Sequence, residues 1–347
     1  MAIKNLLNDL NDCPATLKKH HVGYRDMHDI VRATAVGTQL TATGIATSLY
    51  ALEVAQKMLE MKGLFYKMNV INTSDLINYG ASLYLDANPL LILSRSGESA
   101  ETVRLAHEPK GGRATISVTE GIGSTLSMSC KYMVGFSANE TAFTNTKSFQ
   151  LSIAYAVFAA KALGLPLMLT PQEYADEAAE RVEKTLLCAD HADRHIGKMM
   201  AEKNVLIIDG QGPLTGIVHQ AVLDYQEIGA AAVASVGGVM RHGLIELTRR
   251  EDAGVILMIP NDKAADIKVK LARDLIAAGT TVGIVAEEGV DLWKMKTIET
   301  VWIPKGHWGV TPIAFAAAME KIYYYYARAK GLKDIKPTAV GKVTREE

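Results

Sequence analysis

Short apolar runs with the length and composition of strands alternate with longer stretches of helical spacing along most of this 347-residue chain. In the first half the strand candidates are 64–70, 90–93, 114–118 and 132–134, and the segments 48–62 and 99–107 carry helical spacing. A longer helix is predicted from 144 to 163, closed by Gly164, Leu165 and Pro166. Its apolar centre, LSIAYAVFAA at 151–160, falls short of the ~20 residues of a membrane span and suits a buried helix. A second helical segment, 171–203, opens on Pro171 and places Val182, Leu186 and Ala189 at helical spacing. The pattern then restarts. Strands are predicted at 204–210, 254–260, 280–286 and 300–305, with helices at 213–227, 263–277 and 311–330 between and after them.

Such alternation favours parallel sheets covered by helices on both faces. The expected fold is α/β: two tandem domains, each a doubly wound parallel sheet, over 20–167 and 171–330, joined near 165–175 and followed by a tail over 331–347. The length suits two domains. The 37 Lys and Arg against 38 Asp and Glu give a net charge of −1, which provides no reason to expect nucleic acid or an anionic membrane as partner. The first residues lack the apolar region and cleavage site of a signal peptide. Cys13, Cys130 and Cys188 follow neither a disulfide nor a zinc-ligand pattern, so a reduced, cytoplasmic protein is expected.

The chemistry concentrates at LILSRSGESAETV, residues 91–103, where a buried strand should become a helix. In open parallel sheets, ligands bind where strands end and helices begin, and a helix start presents free N–H groups and a positive dipole end. Ser94, Ser96, Ser99 and Thr102 add hydroxyls to those N–H groups. The stretch lacks the lysine of a nucleoside-triphosphate loop, so a single phosphomonoester fits it better. A plain capping role for Ser96 or Ser99, with Glu98 and Glu101 complementing the first turn, explains one hydroxyl but not four in nine residues.

Other signals carry less. The glycines of DGQGPLTG (209–216) echo a dinucleotide turn, but no acid ends a second strand at the required distance; Asp224 and Glu227 fall within the following helix. His191 and His195 lie four apart on a helix without a third ligand, which reads as a charged face. The run Tyr323–Tyr326 reads as packing or interface surface. No Gly-x-Ser-x-Gly elbow supports serine hydrolysis.

SRSGESAET closely resembles the S-x-S-G-x-(S/T)-x-(D/E)-T signature of sugar isomerase (SIS) domains, which bind phosphosugars. GIATS (44–48) resembles their G-x-G-T-S turn, with Ala46 in place of a glycine. NETAFTNTKSF (139–149), GQGPLTGIVHQAVLDYQEIG (210–229), RHG (241–243) and the tail KGLKDIKPTAVGKVTREE (330–347) resemble further segments of double-SIS proteins, in the same order. The isomerase part of glucosamine-6-phosphate synthase, amino-sugar-phosphate deaminases and fructosamine-6-phosphate deglycases are the members most alike. Because Ala2 stands where an N-terminal nucleophilic cysteine would be needed, and only a short arm precedes the first domain, neither a glutamine-dependent synthase nor an appended helix-turn-helix domain is expected.

The resemblance implies a phosphosugar isomerase or deaminase acting on an amino-sugar 6-phosphate, working as a homodimer or higher assembly, with no metal or organic cofactor. Glu227 is implied as the base that shifts a proton between C1 and C2, and His242 as the ring-opening group that reaches the neighbouring subunit's site. Thr47 and Ser48 join Ser94, Ser96, Ser99 and Thr102 at the phosphate; Arg95, replacing a glutamine, adds a charged contact. Asn145, Lys147 and Lys342 are implied at the sugar.

Read alone, Glu227 is more often a solvated helix residue and His242 an exposed turn residue. Several positions depart from the family. Glu227 and His242 are 15 residues apart, one fewer than usual; Val239 and Leu244 replace a glutamate and a proline near His242; and Gly341 stands where the synthase has its Schiff-base lysine, beside Lys342. Deglycation of a fructosamine 6-phosphate, plain ketose–aldose isomerisation and phosphosugar sensing without turnover remain open.

Overall fold

A computed structural model describes residues 3–35, 39–80, 88–108, 113–188, 190–292, 295, 299–335, 337, 339 and 341–345. Two compact units emerge, one made of 16–140, 147–175 and 337–347, the other of 1–15, 141–146 and 176–336. Each holds one five-stranded parallel sheet.

The chain opens with α1 (Ile3–Lys19) and α2 (His21–Thr34). Then follow β1 (Leu40–Gly44), α3 (Thr47–Met61), β2 (Met68–Asn72), α4 (Thr73–Tyr79), β3 (Leu90–Leu93), α5 (Ala100–His107), β4 (Thr115–Thr119), α6 (Thr125–Ser129), β5 (Tyr132–Gly135) and α7 (Lys147–Ala162). The strands lie in the order β2-β1-β3-β4-β5. Pairing of Thr43 with Ile92 and of Ile92 with Ser117 fixes the central register. β1, β3 and β4 are buried at every position, as a sheet covered on both faces requires.

Leu90 and Ile92 pack with Leu76 of α4, Leu105 of α5 and Leu126 of α6. α7 packs against α2 and α3. The run 151–160 in α7 is fully buried, as its apolarity predicts. Tyr24 of α2 stacks on Phe158 of α7 with ring centroids 5.4 Å apart and meets Tyr155 edge-on at 5.1 Å, which ties the two helices through specific ring geometry.

The second half runs α8 (Pro171–Cys188), α9 (Asp190–Ala201), β6 (Val205–Asp209), a 3-10 turn (Gly212–Leu214), α10 (Thr215–Glu227) and β7 (Ala231–Ser235). Two further 3-10 turns, Val239–His242 and Leu244–Arg249, lead to β8 (Ala253–Ile259), α11 (Ala265–Ala277), β9 (Thr281–Glu287), β10 (Thr300–Ile303) and α12 (Thr311–Ala329). The order β10-β9-β8-β6-β7 is the first sheet's order again, once the strands are renumbered from β6. α12 is buried from Thr311 to Ala327, so the four tyrosines at 323–326 are packing residues. Arg181 of α8 anchors the unit from inside: it donates to Glu287 at 2.5 Å, the Pro304 carbonyl at 2.7 Å, the His307 carbonyl at 3.2 Å and Thr311 at 2.9 Å.

Most predicted elements lie within a residue or two of the observed ones; the differences are local. The expected strand 64–70 is displaced to Met68–Asn72, because 63–67 form the turn that closes α3 and leave Phe65 and Tyr66 exposed. The helix expected over 171–203 is two helices. β1, β7 and the two N-terminal helices were not anticipated. Among the described residues, no helix is long and apolar enough to cross a membrane.

Candidate functional site

In a sheet of this order, the first and third strands send their chains in opposite directions, which opens a crevice at their C-terminal ends. In the first sheet that crevice lies between the ends of β1 and β3. The segments leaving those ends are Ile45–Ser48 and Ser94–Ser99, the two stretches that sequence reasoning assigned to phosphate.

The second of these loops is built by its own hydroxyls. Ser94 is buried, and its Oγ accepts the Gly97 N–H at 3.2 Å; Ser96 Oγ accepts the Glu98 N–H at 3.2 Å. Gly97 turns at φ +67°, and a Cβ there would lie 2.1 Å from Ser124 Oγ, so both the turn and the close approach demand glycine. Outer groups brace the loop. The Arg95 carbonyl accepts the Glu120 N–H at 2.9 Å and the Thr119 hydroxyl at 3.1 Å. Glu98 does not complement α5, as its position suggested, but accepts the Thr125 N–H at 2.7 Å and hydroxyl at 3.0 Å at the start of α6.

Ser99 occupies the N-cap position of α5, yet its hydroxyl makes no capping bond. Simple capping therefore does not account for it. Thr102 is buried in the first turn. The tail reaches the same place: the Ala100 N–H donates to the Thr344 carbonyl at 2.9 Å, with half-buried Lys342 two residues earlier. Arg95, half-buried, is the sole cation between Leu93 and Ala100.

The other loop is strained. Ala46 holds φ 49° and ψ −124°, a conformation natural to glycine and costing an L-residue ~1–3 kcal/mol. It delivers half-buried Thr47 and Ser48 to the first turn of α3.

Lys147 begins α7, is buried, and donates to the Asn139 carbonyl at 3.1 Å. Glu120 shapes the same segment by accepting the Ala138 and Asn139 N–H groups at 2.7 and 2.9 Å.

In the second unit, half-buried Glu227 is the last residue of α10. Asn145, also half-buried, lies in the 141–146 segment, whose Thr141 and Ala142 N–H groups are fixed by Asp9 at 2.8 and 2.6 Å. His242 ends a 3-10 turn and is exposed; Gly243 follows at φ +131°, and Arg241 pairs with Asp274 at 2.6 Å.

Sequence reasoning overlooked the surroundings of Glu227. Gln220 and Asp224 are both buried, and Gln220 Nε2 donates to Asp224 Oδ1 at 2.7 Å. The signal was available, since polar residues at 220, 224 and 227 interrupt the apolar face of an otherwise buried helix.

The second sheet's own crevice, at the ends of β6 and β8, differs from the first. Asp209 ends β6 fully buried, accepts the Ser235 hydroxyl at 2.6 Å and pairs with buried Lys268 of α11.

Residues 38–160 match the protein family described as "SIS domain". Glutamine–fructose-6-phosphate aminotransferase (isomerizing) from Streptococcus pyogenes serotype M1 is 28% identical over 276 residues, covering 76% of this chain and 44% of that protein. The chain thus spans about half the length of the curated relatives it matches. Among solved structures, the C-terminal domain of glucosamine-fructose-6-phosphate aminotransferase from Francisella tularensis superposes with a TM-score of 0.81 at 18% identity, covering 95% of this chain and 97% of that one. Glucosamine-6-phosphate deaminase from Thermotoga maritima superposes with a TM-score of 0.73 at 17% identity, covering 98% and 99%. Residues 38–160 thus match the SIS-domain family, and over its length the chain has the fold of these solved structures.

Proposed function

We propose that this protein is a phosphosugar isomerase or deaminase acting on an amino-sugar 6-phosphate. The observation that carries the reading is the hydroxyl-lined turn at the crevice of the first sheet, where Ser99 stands at a helix start without capping it. A dianionic phosphate supplies what that turn is suited to receive, namely acceptor oxygens for N–H and O–H donors beside a cationic Arg95. Thr47 and Ser48 donate from the opposite loop, and Lys342 and Asn145 bind sugar hydroxyls. The likeness to a glucosamine-6-phosphate deaminase supports an amino sugar as substrate.

In this reading His242 helps open the ring, which exposes an aldehyde at C1 with the amine on C2. Glu227 takes the C2 proton and returns it to C1, leaving an imine at C2 that water hydrolyses to a ketose phosphate and ammonia. His242 is exposed on its own chain, which suits service in a second copy, so the active assembly is a homodimer or larger.

The test is ammonia release from glucosamine 6-phosphate by the wild-type protein and by Glu227→Gln. Release that falls by about 10²–10⁴-fold in the variant, with binding kept, is the expected result. No release from the wild type contradicts the deaminase and directs the same assay to fructosamine 6-phosphates.

A further inference from the structure

Ser96 serves a phosphate only if its hydroxyl hydrogen is left to donate to it. The Ser96 oxygen accepts the Glu98 N–H at 3.2 Å, which occupies a lone pair and leaves the O–H as a donor. That bond fixes the Ser96 side chain only as firmly as the Glu98 backbone is itself fixed. Neither a strand nor a helix holds that backbone, since β3 ends at Leu93 and α5 starts at Ala100.

Glu98 supplies an anchor with its own side chain. One carboxylate oxygen accepts the Thr125 N–H at 2.7 Å, and the other accepts the Thr125 hydroxyl at 3.0 Å. Hydrogen bonds to an ionised acceptor are the stronger kind, and a pair of them fixes direction as well as distance. Thr125 is held in turn. It opens α6, whose N-cap Ser124 accepts the Ser127 N–H at 3.3 Å. The next residue, Leu126, donates its N–H back to the Gly97 carbonyl at 3.2 Å. Gly97 and Glu98 are thus fastened side by side to the first turn of α6.

The same contacts direct the charge. A carboxylate left loose beside the turn would compete with a phosphate for the turn's own N–H groups. Here both its oxygens are engaged by donors of α6 instead. A carboxylate at a helix start also stabilises that helix, which for α6 is only five residues long. Service to α6 alone would leave ligand affinity unchanged, so the two roles are separable by measurement.

We propose that Glu98 is a positioning residue of the phosphate turn: clamped to Thr125, it holds the Ser96 hydroxyl as a donor to the ligand. Glu98 touches no substrate atom and acts through Ser96. This inference rests on the reading of the turn as the phosphate site.

The experiment is calorimetric titration of glucosamine 6-phosphate, and of inorganic phosphate, into the full chain. The wild type is compared with Glu98→Ala, Ser96→Ala, their double variant, Glu98→Gln and Thr125→Val. Glu98→Ala should lose about tenfold in affinity for both ligands. The double variant should lose no more than Ser96→Ala alone, because both changes remove the same contact. Glu98→Gln should bind within about twofold of the wild type, since its carbonyl and amide match the Thr125 N–H and hydroxyl. Thr125→Val, which removes only the hydroxyl bond, should lose about threefold. Unchanged affinity in Glu98→Ala, or losses that add in the double variant, overturn the proposal. If Glu98→Ala does not fold, Thr125→Val decides in its place, and unchanged affinity there overturns the proposal. A Glu98→Gln variant as weak as Glu98→Ala contradicts the clamp. Failure of the wild type to bind either ligand would instead remove the phosphate reading itself, and this inference with it.

Discussion

At the switch point of the first sheet, β3 ends at Leu93, and the next six residues, 94–99, supply hydroxyls, a glycine turn and one arginine before α5 begins. At the switch point of the second, β6 ends in Asp209, whose carboxylate is filled by Ser235 and Lys268 from within the unit. The strand order is the same, but one crevice presents hydroxyl and N–H groups while the other pairs its charge within the unit. Shared topology therefore does not give shared chemistry at the strand ends; the residues there decide it.

The largest effect that would sharpen this contrast is at Lys268. Replacing it with Met keeps much of its volume but leaves the Asp209 carboxylate buried without its cation, so unfolding stability should fall by about 3–5 kcal/mol. Chemical denaturation reads this directly. Adding Asp209→Asn to the same chain should recover much of the loss, since no isolated buried charge remains. A loss below about 1 kcal/mol in the single variant would mean that the pair does not hold the second crevice closed.

A smaller effect, of opposite sign, is expected in the first crevice at Ala46. Glycine tolerates φ 49° and ψ −124° without strain, so Ala46→Gly should stabilise the protein by about 1 kcal/mol, despite glycine's greater freedom in the unfolded chain. Denaturation midpoints at constant slope are the measurement. Destabilisation would show that the strain is absorbed elsewhere.

The smallest effect concerns pH. His20 accepts the Ser137 N–H on Nε2 at 3.1 Å and donates from Nδ1 to the Thr16 carbonyl at 2.7 Å, an arrangement available only to the neutral ring. Burial lowers its pKa against the raising influence of the Thr16 carbonyl and Glu120. With the folded pKa below the unfolded value, the unfolded chain binds more protons between the two. Stability from this group is therefore complete above about 6.5 and declines as pH falls below it. Thermal melts between pH 7.5 and 5 should show this decline in the wild type and a flatter profile in His20→Gln; identical profiles would remove His20 from the account.

How much of this was legible differed from element to element. β3 and the loop after it were read correctly because a continuous apolar run stops at a glycine turn, which leaves little ambiguity. β1 and β7 escaped notice because LTATG and AAVAS contain threonine and alanine where a buried strand normally shows large aliphatics. The structure accounts for one threonine of the first: Thr43 is fully buried and shares a hydrogen bond with Thr73 at 3.0 Å, which offsets the desolvation of its hydroxyl. α1 shows buried Leu6, Leu10, Cys13 and Leu17 at clear helical spacing, but Pro14 interrupts it and argues against a helix in the sequence alone.

Within the candidate site, the hydroxyls and Glu227 were visible as a pattern. The role of Glu98 was not, because its partner Thr125 is 27 residues away and only the fold brings the two together.

The central claim is that the first crevice binds phosphate and the second does not. Calorimetric titration of glucosamine 6-phosphate into the wild type, Ser96→Ala, Ser99→Ala and Gln211→Ala tests it most directly. The two cradle variants should each lose about tenfold in affinity, the equivalent of one charge-assisted hydrogen bond, while Gln211→Ala, on the second crevice's loop, should bind as the wild type does. Unchanged affinity in both serine variants, or a loss confined to Gln211→Ala, would contradict it.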